Sequence, residues 1–186
     1  MKLAFVIYRL YRFGGKSRNF MAIAAECARR GHDVTIVTME ADSPPPEGCA
    51  LVTIPGRGWS NVGTYVHFAR DIATMRRRDG FDLVISGERM PGIDVYYAGD
   101  SCFVEHAITR RSFLHRLTRR YRHFRRFEEA VCSPDSSTNI MALTPLEIET
   151  YRRHHGTPSD RFGLLPPNVT RDRQTPPERR PEERAS

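Results

Sequence analysis

The sequence predicts an α/β domain built on a doubly wound parallel sheet, and three observations carry that prediction. Short apolar runs rich in β-branched residues recur along the chain. Segments of helical periodicity alternate with them. Glycine or proline stands at most of the changeovers.

Residues 3–8 form a continuous apolar run, as expected of a strand buried on both faces. Phe13-Gly14-Gly15 follows as a turn, and Ser17 reads as the cap of the next helix. Phe20, Ile23, Ala24, Cys27 and Ala28 fall at helical spacing before Gly31 closes the segment. Residues 33–38 are the second strand, which completes a right-handed βαβ unit. The nearest acid, Glu40, lies past the expected end of that strand, and the glycines do not complete G-x-G-x-x-G, so NAD binding is disfavoured.

Residues 42–48 are a proline-rich loop, and residues 51–54 are a short strand stopped by Pro55. Residues 62–78 read as a helix with Tyr65, Phe68, Ile72 and Met75 on one stripe, ended by Asp79-Gly80. Strands are predicted over 81–86, 95–98 and 139–144, with a polar loop over 87–92. Residues 112–131 read as one long helix. Pro145 at a first helical position opens a helix over 146–154. Residues 164–168 complete the pattern as a short closing strand and exit turn.

Sheets of this kind bind ligands outside the carboxyl ends of their strands. That rule puts residues 13–16, residues 87–92, Gly99, Asp100 and Thr144 on the candidate functional edge. Two adjacent glycines let the backbone approach a phosphate, although a plain strand-to-helix turn needs the same residues. A carboxylate at a strand end, as at Asp100 after Gly99, suits the orientation of a sugar hydroxyl or a base role. Asp94 and Asp100 equally suit turn or cap positions. Glu105 and His106 are expected to border the same cleft as Asp100.

Composition narrows the class. A length of 186 residues suits one domain. No apolar run approaches a membrane span, and the first residues read as a strand rather than an export signal. Cys27, Cys49, Cys102 and Cys132 make no C-x-x-C pair and no zinc spacing with histidine, so no metal is expected. The net charge of +7 is concentrated in an arginine block over 110–126 and a second over 171–184. In the first block Phe113, Leu117, Tyr121 and Phe124 form an apolar stripe flanked by Arg110, Arg111, Arg116, Arg119, Arg120, Arg122 and Arg125. Such a segment fits an anionic lipid surface, a packed helix with a solvated basic face, or nucleic-acid phosphates. No base-reading residues accompany it, which places nucleic acid last. From Thr170 onward the chain is mainly proline, arginine and glutamate, either a tail or the start of a linker.

The order of short stretches supplies more. Phe13-Gly14-Gly15, Met90-Pro91-Gly92-Ile93-Asp94-Val95-Tyr96 and Ala98-Gly99-Asp100-Ser101-Cys102 occur in sequence. Phe113-Leu114-His115-Arg116-Leu117-Thr118, Arg120-Tyr121-Arg122-His123 and Leu164-Leu165-Pro166-Pro167 follow. In this the chain resembles, over nearly its whole length, the inner-core heptose glucosyltransferases of lipopolysaccharide, which are family-4 glycosyltransferases of GT-B fold.

The resemblance implies that residues 1–169 are the Rossmann-like N-terminal acceptor and membrane domain of such an enzyme. Residues 170–186 are then a truncated polar linker to an absent second domain. It implies a retaining, metal-independent transfer of glucose from UDP-glucose to a heptose of the lipid A-anchored inner core. No cofactor is implied, and UDP-glucose is a substrate. Gly14, Gly15 and Arg173 fall on donor-binding positions, and Asp100 on a sugar- or acceptor-positioning one. The arginine block, with Phe113, Leu117, Tyr121 and Phe124, falls on the surface that meets the cytoplasmic face of the inner membrane. With the second domain missing, the 186 residues are expected to be nearly inactive alone. The alternative is a stand-alone peripheral membrane or lipopolysaccharide-binding module. Asn19 stands where the family has an acid and Asn168 where it commonly has glycine.

Overall fold

A computed structural model describes residues 1–11 and 14–166. Seven strands make one sheet in the order β3-β2-β1-β4-β5-β6-β7, and every pairing is parallel. In chain order the main elements are β1 (Lys2–Leu10), α1 (Gly15–Arg29), β2 (Asp33–Ala41), β3 (Cys49–Thr53) and α2 (Asn61–Asp79). They continue with β4 (Leu83–Ser86), β5 (Val95–Ala98), α3 (Phe103–Arg110), α4 (Arg119–Cys132), β6 (Asn139–Ala142), α5 (Pro145–His155) and β7 (Phe162–Leu164). This is the Rossmann-like arrangement, with its topological switch between β1 and β4.

The central strands explain themselves. Ala4, Phe5, Val6 and Ile7 of β1 are almost wholly buried, because β2 and β4 flank the strand and helices cover both faces. Phe20 and Ala24 of α1 pack with Leu3, Phe5, Ile7, Val34 and Ile36 on one face. On the other, Phe68, Ile72 and Met75 of α2 join Val6, Val84, Tyr96, Ile140, Val131 and Tyr151. Strand length does not follow position in the sheet: β3 at one edge has 5 residues and β7 at the other has 3, while the inner β4, β5 and β6 have 4 each.

Local chemistry sets the ends. Ser60 caps α2 by accepting from the Gly63 amide at 3.1 Å, and Gly80, in the left-handed region at φ 66°, stops it. Thr144 and Glu147 form a capping box on α5 after Pro145.

Four expectations need correction. Gly14, not Ser17, is the cap of α1; Ser17 lies in the first turn, where its Oγ accepts from the Tyr11 amide at 3.4 Å. β2 runs on to Ala41, so Glu40 lies inside it and pairs with Arg9 of β1 at 3.3 Å. Residues 112–131 are not one helix. A 3₁₀ turn, Phe113–Leu117, comes first, and extended Thr118 then caps α4 by accepting from the Tyr121 amide at 3.1 Å. The closing strand begins at Phe162, and Asn168 lies outside the described residues.

Helix α3 is absent from the sequence-based reading. Its cap is not local: the first amides of Phe103 and Val104 donate to Glu128 of α4 at 2.6 and 3.0 Å. A carboxylate 25 positions downstream leaves no capping signature in the adjoining sequence.

Candidate functional site

The switch between β1 and β4 gathers three loops at the carboxyl edge of the sheet. The chain leaves β1 through Gly14 and enters α1 with no side-chain cap and no acid in the first turn. A Cβ on Gly15 would meet nothing within 4 Å, so no protein neighbour demands glycine there. Beside this turn lies a cavity of about 440 Å³, lined among others by Tyr8, Gly14, Gly15, Lys16, Tyr65 and Glu88. A second cavity of about 280 Å³ shares Tyr8, Tyr65 and Glu88 with it and adds Arg89, Asp100, Phe103, Arg120 and Phe124.

Lys16, in the first turn of α1, reaches the seam between the two cavities. Its Nζ lies 2.5 Å from Asp100 Oδ2 and 3.0 Å from Glu88 Oε1. Asp100 is half exposed (52%), whereas Glu88 (16%) and Lys16 (19%) are largely enclosed. Burial raises the Glu88 carboxyl above its ordinary range, and the Lys16 charge works against that rise. Burial and then the Glu88 charge hold the Tyr8 phenol well above its usual value, so it is a neutral hydrogen-bonding group.

Aromatic rings frame the smaller cavity. Tyr8 stacks on Tyr65 with centroids 4.2 Å apart, and Phe124 lies 5.8 Å from Tyr65 and 5.5 Å from Phe103. Rings beside carboxylates suit a polyol: apolar C–H faces meet the rings and hydroxyls meet the acids. The arginines add cationic edges, with Arg120 5.7 Å from the Phe124 ring.

Behind Arg89 stands a closed network. Glu128 is fully buried and accepts from Arg89 at 2.8 Å and His155 at 3.1 Å, besides the two α3 amides. Burial works to raise its carboxyl, but the His155 hydrogen bond, the Arg89 charge and the Phe103 amide outweigh that and leave it lowered. Among the described residues, Cys102, Glu128 and His155 bring three ligand-type atoms within 4.8 Å of one another. Burial pushes the Cys102 thiol up to about 12, and its S–H donates to Glu128 at 3.7 Å. With its carboxylate already saturated, the trio is a hydrogen-bond network.

The residues singled out by sequence fall into distinct places. Gly14, Gly15 and Asp100 come together at this edge, as do Gly87, Glu88 and Arg89 of the β4–β5 loop. Asp94 does not: it accepts from the Val84 amide at 2.7 Å and pairs with Arg76 at 2.9 Å, tying β4 and α2. Glu105 and His106 do not border the cleft either. Glu105 lies 2.5 Å from His154 of α5, and His106 is exposed. Thr144 caps α5. Arg173 and Phe13 lie outside the described residues. Sequence reasoning put Lys16, Glu88 and Arg89 on this edge without giving any of them a role or a partner, and it missed Glu128.

The arginine block divides by direction. Tyr121 is buried and Phe124 faces the cavity, so these two rings leave the outer stripe. Phe113 (64%), Leu114 (70%) and Leu117 (64%) are exposed on the 3₁₀ turn instead. Arg110, Arg111, Arg119, Arg120 and Arg122 are exposed around them; Arg116 sits 4.7 Å from the Phe113 ring, and Arg125 pairs with Glu129 at 2.8 Å. No helix among the described residues is long and apolar enough to cross a membrane.

Residues 13–173 match the family model of Glycosyltransferase Family 4. The chain is 36% identical over 174 residues to lipopolysaccharide glucosyltransferase WaaG of Escherichia coli (strain K12), a match covering 94% of this chain and 46% of that protein. It superposes with a TM-score of 0.88 and 34% identity on a crystal structure of WaaG, described as a glycosyltransferase involved in lipopolysaccharide biosynthesis, covering 98% of this chain and 50% of that one. A glycosyltransferase from Rickettsia africae ESF-5, at 11% identity and a TM-score of 0.53 over 96% of this chain and 47% of that one, shares the fold alone. The chain thus spans about half the length of the relatives it matches.

Proposed function

The chain belongs to glycosyltransferase family 4, and from that premise we propose that it is the acceptor- and membrane-facing part of a transferase acting in lipopolysaccharide core synthesis. The donor is UDP-glucose, and the acceptor is a heptose of the lipid A-anchored inner core. Transfer is retaining and metal-independent. The observation that carries this reading is the ring-framed cavity holding Glu88 and Asp100, set directly beside an exposed apolar turn ringed by arginines.

Each part has a physical role in that reading. The glycine turn and uncapped N-terminus of α1 give a diphosphate an unobstructed approach to backbone amides. Asp100 orients the acceptor hydroxyl from the seam. The rings of Tyr8, Tyr65, Phe103 and Phe124 take the apolar face of the heptose. Phe113, Leu114 and Leu117 enter the headgroup region while the surrounding arginines meet anionic lipid, which holds the cavity close to a lipid-anchored acceptor. Localisation is then peripheral, on the cytoplasmic face of the inner membrane.

The test is glucosyl transfer from labelled UDP-glucose to heptose-terminated core lipid. The protein at the length of its relatives is expected to turn over, and the 186 residues alone to bind vesicles but turn over little. Robust transfer by the 186 residues overturns the division of labour, and no transfer by the longer form overturns the substrate assignment.

A further inference from the structure

Two glycines at the seam are not explained by their own backbones. Neither Gly87 nor Gly99 has positive φ. Both instead face the stem of Lys16. A Cβ on Gly99 would lie 2.8 Å from Lys16 Cγ and 3.0 Å from Tyr97 Cε1, and one on Gly87 would lie 3.4 Å from Lys16 Cε. A side chain at 99 therefore displaces the middle of the lysine stem, not its mobile tip.

The far end of that stem is equally constrained. Its ammonium is shared between Glu88, which is enclosed, and Asp100, which opens to the cavity. A lysine needed only to neutralise Glu88 has no use for the second carboxylate. A lysine serving only as a surface partner of Asp100 has no use for a channel cleared by glycines.

We propose that Lys16 is a positioning residue for Asp100, threaded past Gly87 and Gly99 and anchored on Glu88 so that it holds the Asp100 carboxylate at the seam between the two cavities. The role deepens the transferase reading and rests on it for its catalytic consequence, though not for its geometry. Lys16 touches neither sugar. It restricts the rotamers of Asp100 and keeps a compensating charge beside two acids that otherwise repel each other.

The groups that face Glu88 are Lys16 from α1, Asp100 after β5, Arg89 on its own loop and Tyr8 of β1. Of these, Lys16 is the one removed in the test. Carboxyl-carbon NMR titration of the 186-residue chain is expected to show the Glu88 midpoint rising in Lys16→Ala and returning toward wild type in Lys16→Arg. An unchanged Glu88 midpoint overturns the clamp. In the longer, transferring form, Lys16→Ala is expected to lower kcat by about tenfold to a hundredfold, with most of the loss restored in Lys16→Arg. Gly99→Ala is expected to lower kcat in the wild-type background and to add less in Lys16→Ala, where the Tyr97 contact remains but the displaced stem is gone. Full additivity of the two substitutions, or an unchanged kcat in Lys16→Ala, overturns the positioning role. If the wild-type form transfers no glucose, the substrate assignment falls while the Glu88 titration still decides the clamp.

Discussion

Two clusters of charge flank the same small cavity and have opposite characters. Glu128 is fully buried and accepts from Arg89, His155, the Phe103 and Val104 amides and the Cys102 thiol, so nothing on it remains to offer a ligand. Among the described residues Asp100 pairs with one cation, Lys16, and half of its surface faces outward. The first cluster builds the wall and the second is left available. Their titrations diverge as well: Glu128 is lowered by its donors, whereas Glu88, tied to Asp100 through Lys16, is raised by burial. In the proposed function, chemistry falls to the incompletely satisfied carboxylate and architecture to the saturated one.

Breaking Glu128 is the strongest test. Glu128→Gln leaves Arg89 without its charge partner and α3 with a weakened cap. It is expected to cost about 3–5 kcal/mol in urea unfolding, the usual loss on removing one side of a buried pair. A cost under about 1 kcal/mol erases the contrast. The acid limb sharpens it. A carboxyl lowered on folding contributes stability that is present above its ordinary 4.5 and lost as pH falls through its folded value. Glu128→Gln should therefore flatten the loss of stability with falling pH below about 4.5. Glu88 has the reverse sign, so Glu88→Gln should leave that limb in place.

The outward face of the arginine block comes next. Changing Arg116, Arg119, Arg120 and Arg122 together to glutamine is expected to weaken binding to anionic vesicles by about 4 kcal/mol, at roughly 1 kcal/mol each, while the chain still folds. Unchanged vesicle affinity counts against the membrane role. Asp100→Asn is expected to lower transfer by on the order of a hundredfold. Its exposed ion pair makes the stability change less than about 1 kcal/mol. The smallest expected effect on stability is that of Phe113→Ser with Leu117→Ser: within about 0.5 kcal/mol per site, with weaker vesicle binding. Tyr121→Ser, one turn away but buried, should instead destabilise clearly, and equal losses at the two places would dissolve the distinction between inner and outer faces.

The same division explains what the sequence could reveal. Strands such as Val95–Ala98 and the stripe of Phe68, Ile72 and Met75 are legible because burial imposes a period on neighbouring residues. Asp100 was legible because a strand end on a parallel sheet is a known place for ligands. The pairings of Lys16 with Glu88, of Lys16 with Asp100 and of the Phe103 amide with Glu128 were not, because they span 72, 84 and 25 positions and leave no local pattern. The single helix over 112–131 failed for a related reason. Periodicity put Phe113 and Tyr121 on one stripe, but Thr118 turned its hydroxyl to the Tyr121 amide and sent the two rings in opposite directions.

The brevity of the outer strands has a consequence for life at high local concentration. A protein gathered on a membrane meets its own copies often, and the free rims of a parallel sheet are where copies can add to one another strand by strand. Here the 5-residue β3 is followed within two residues by Pro55, and the 3-residue β7 by Pro166. Each rim strand therefore stops near a residue with no amide to donate, which limits how far a foreign strand could extend the ladder along it. In the proposed membrane-bound state, such stops work against edge-to-edge polymerisation of crowded copies.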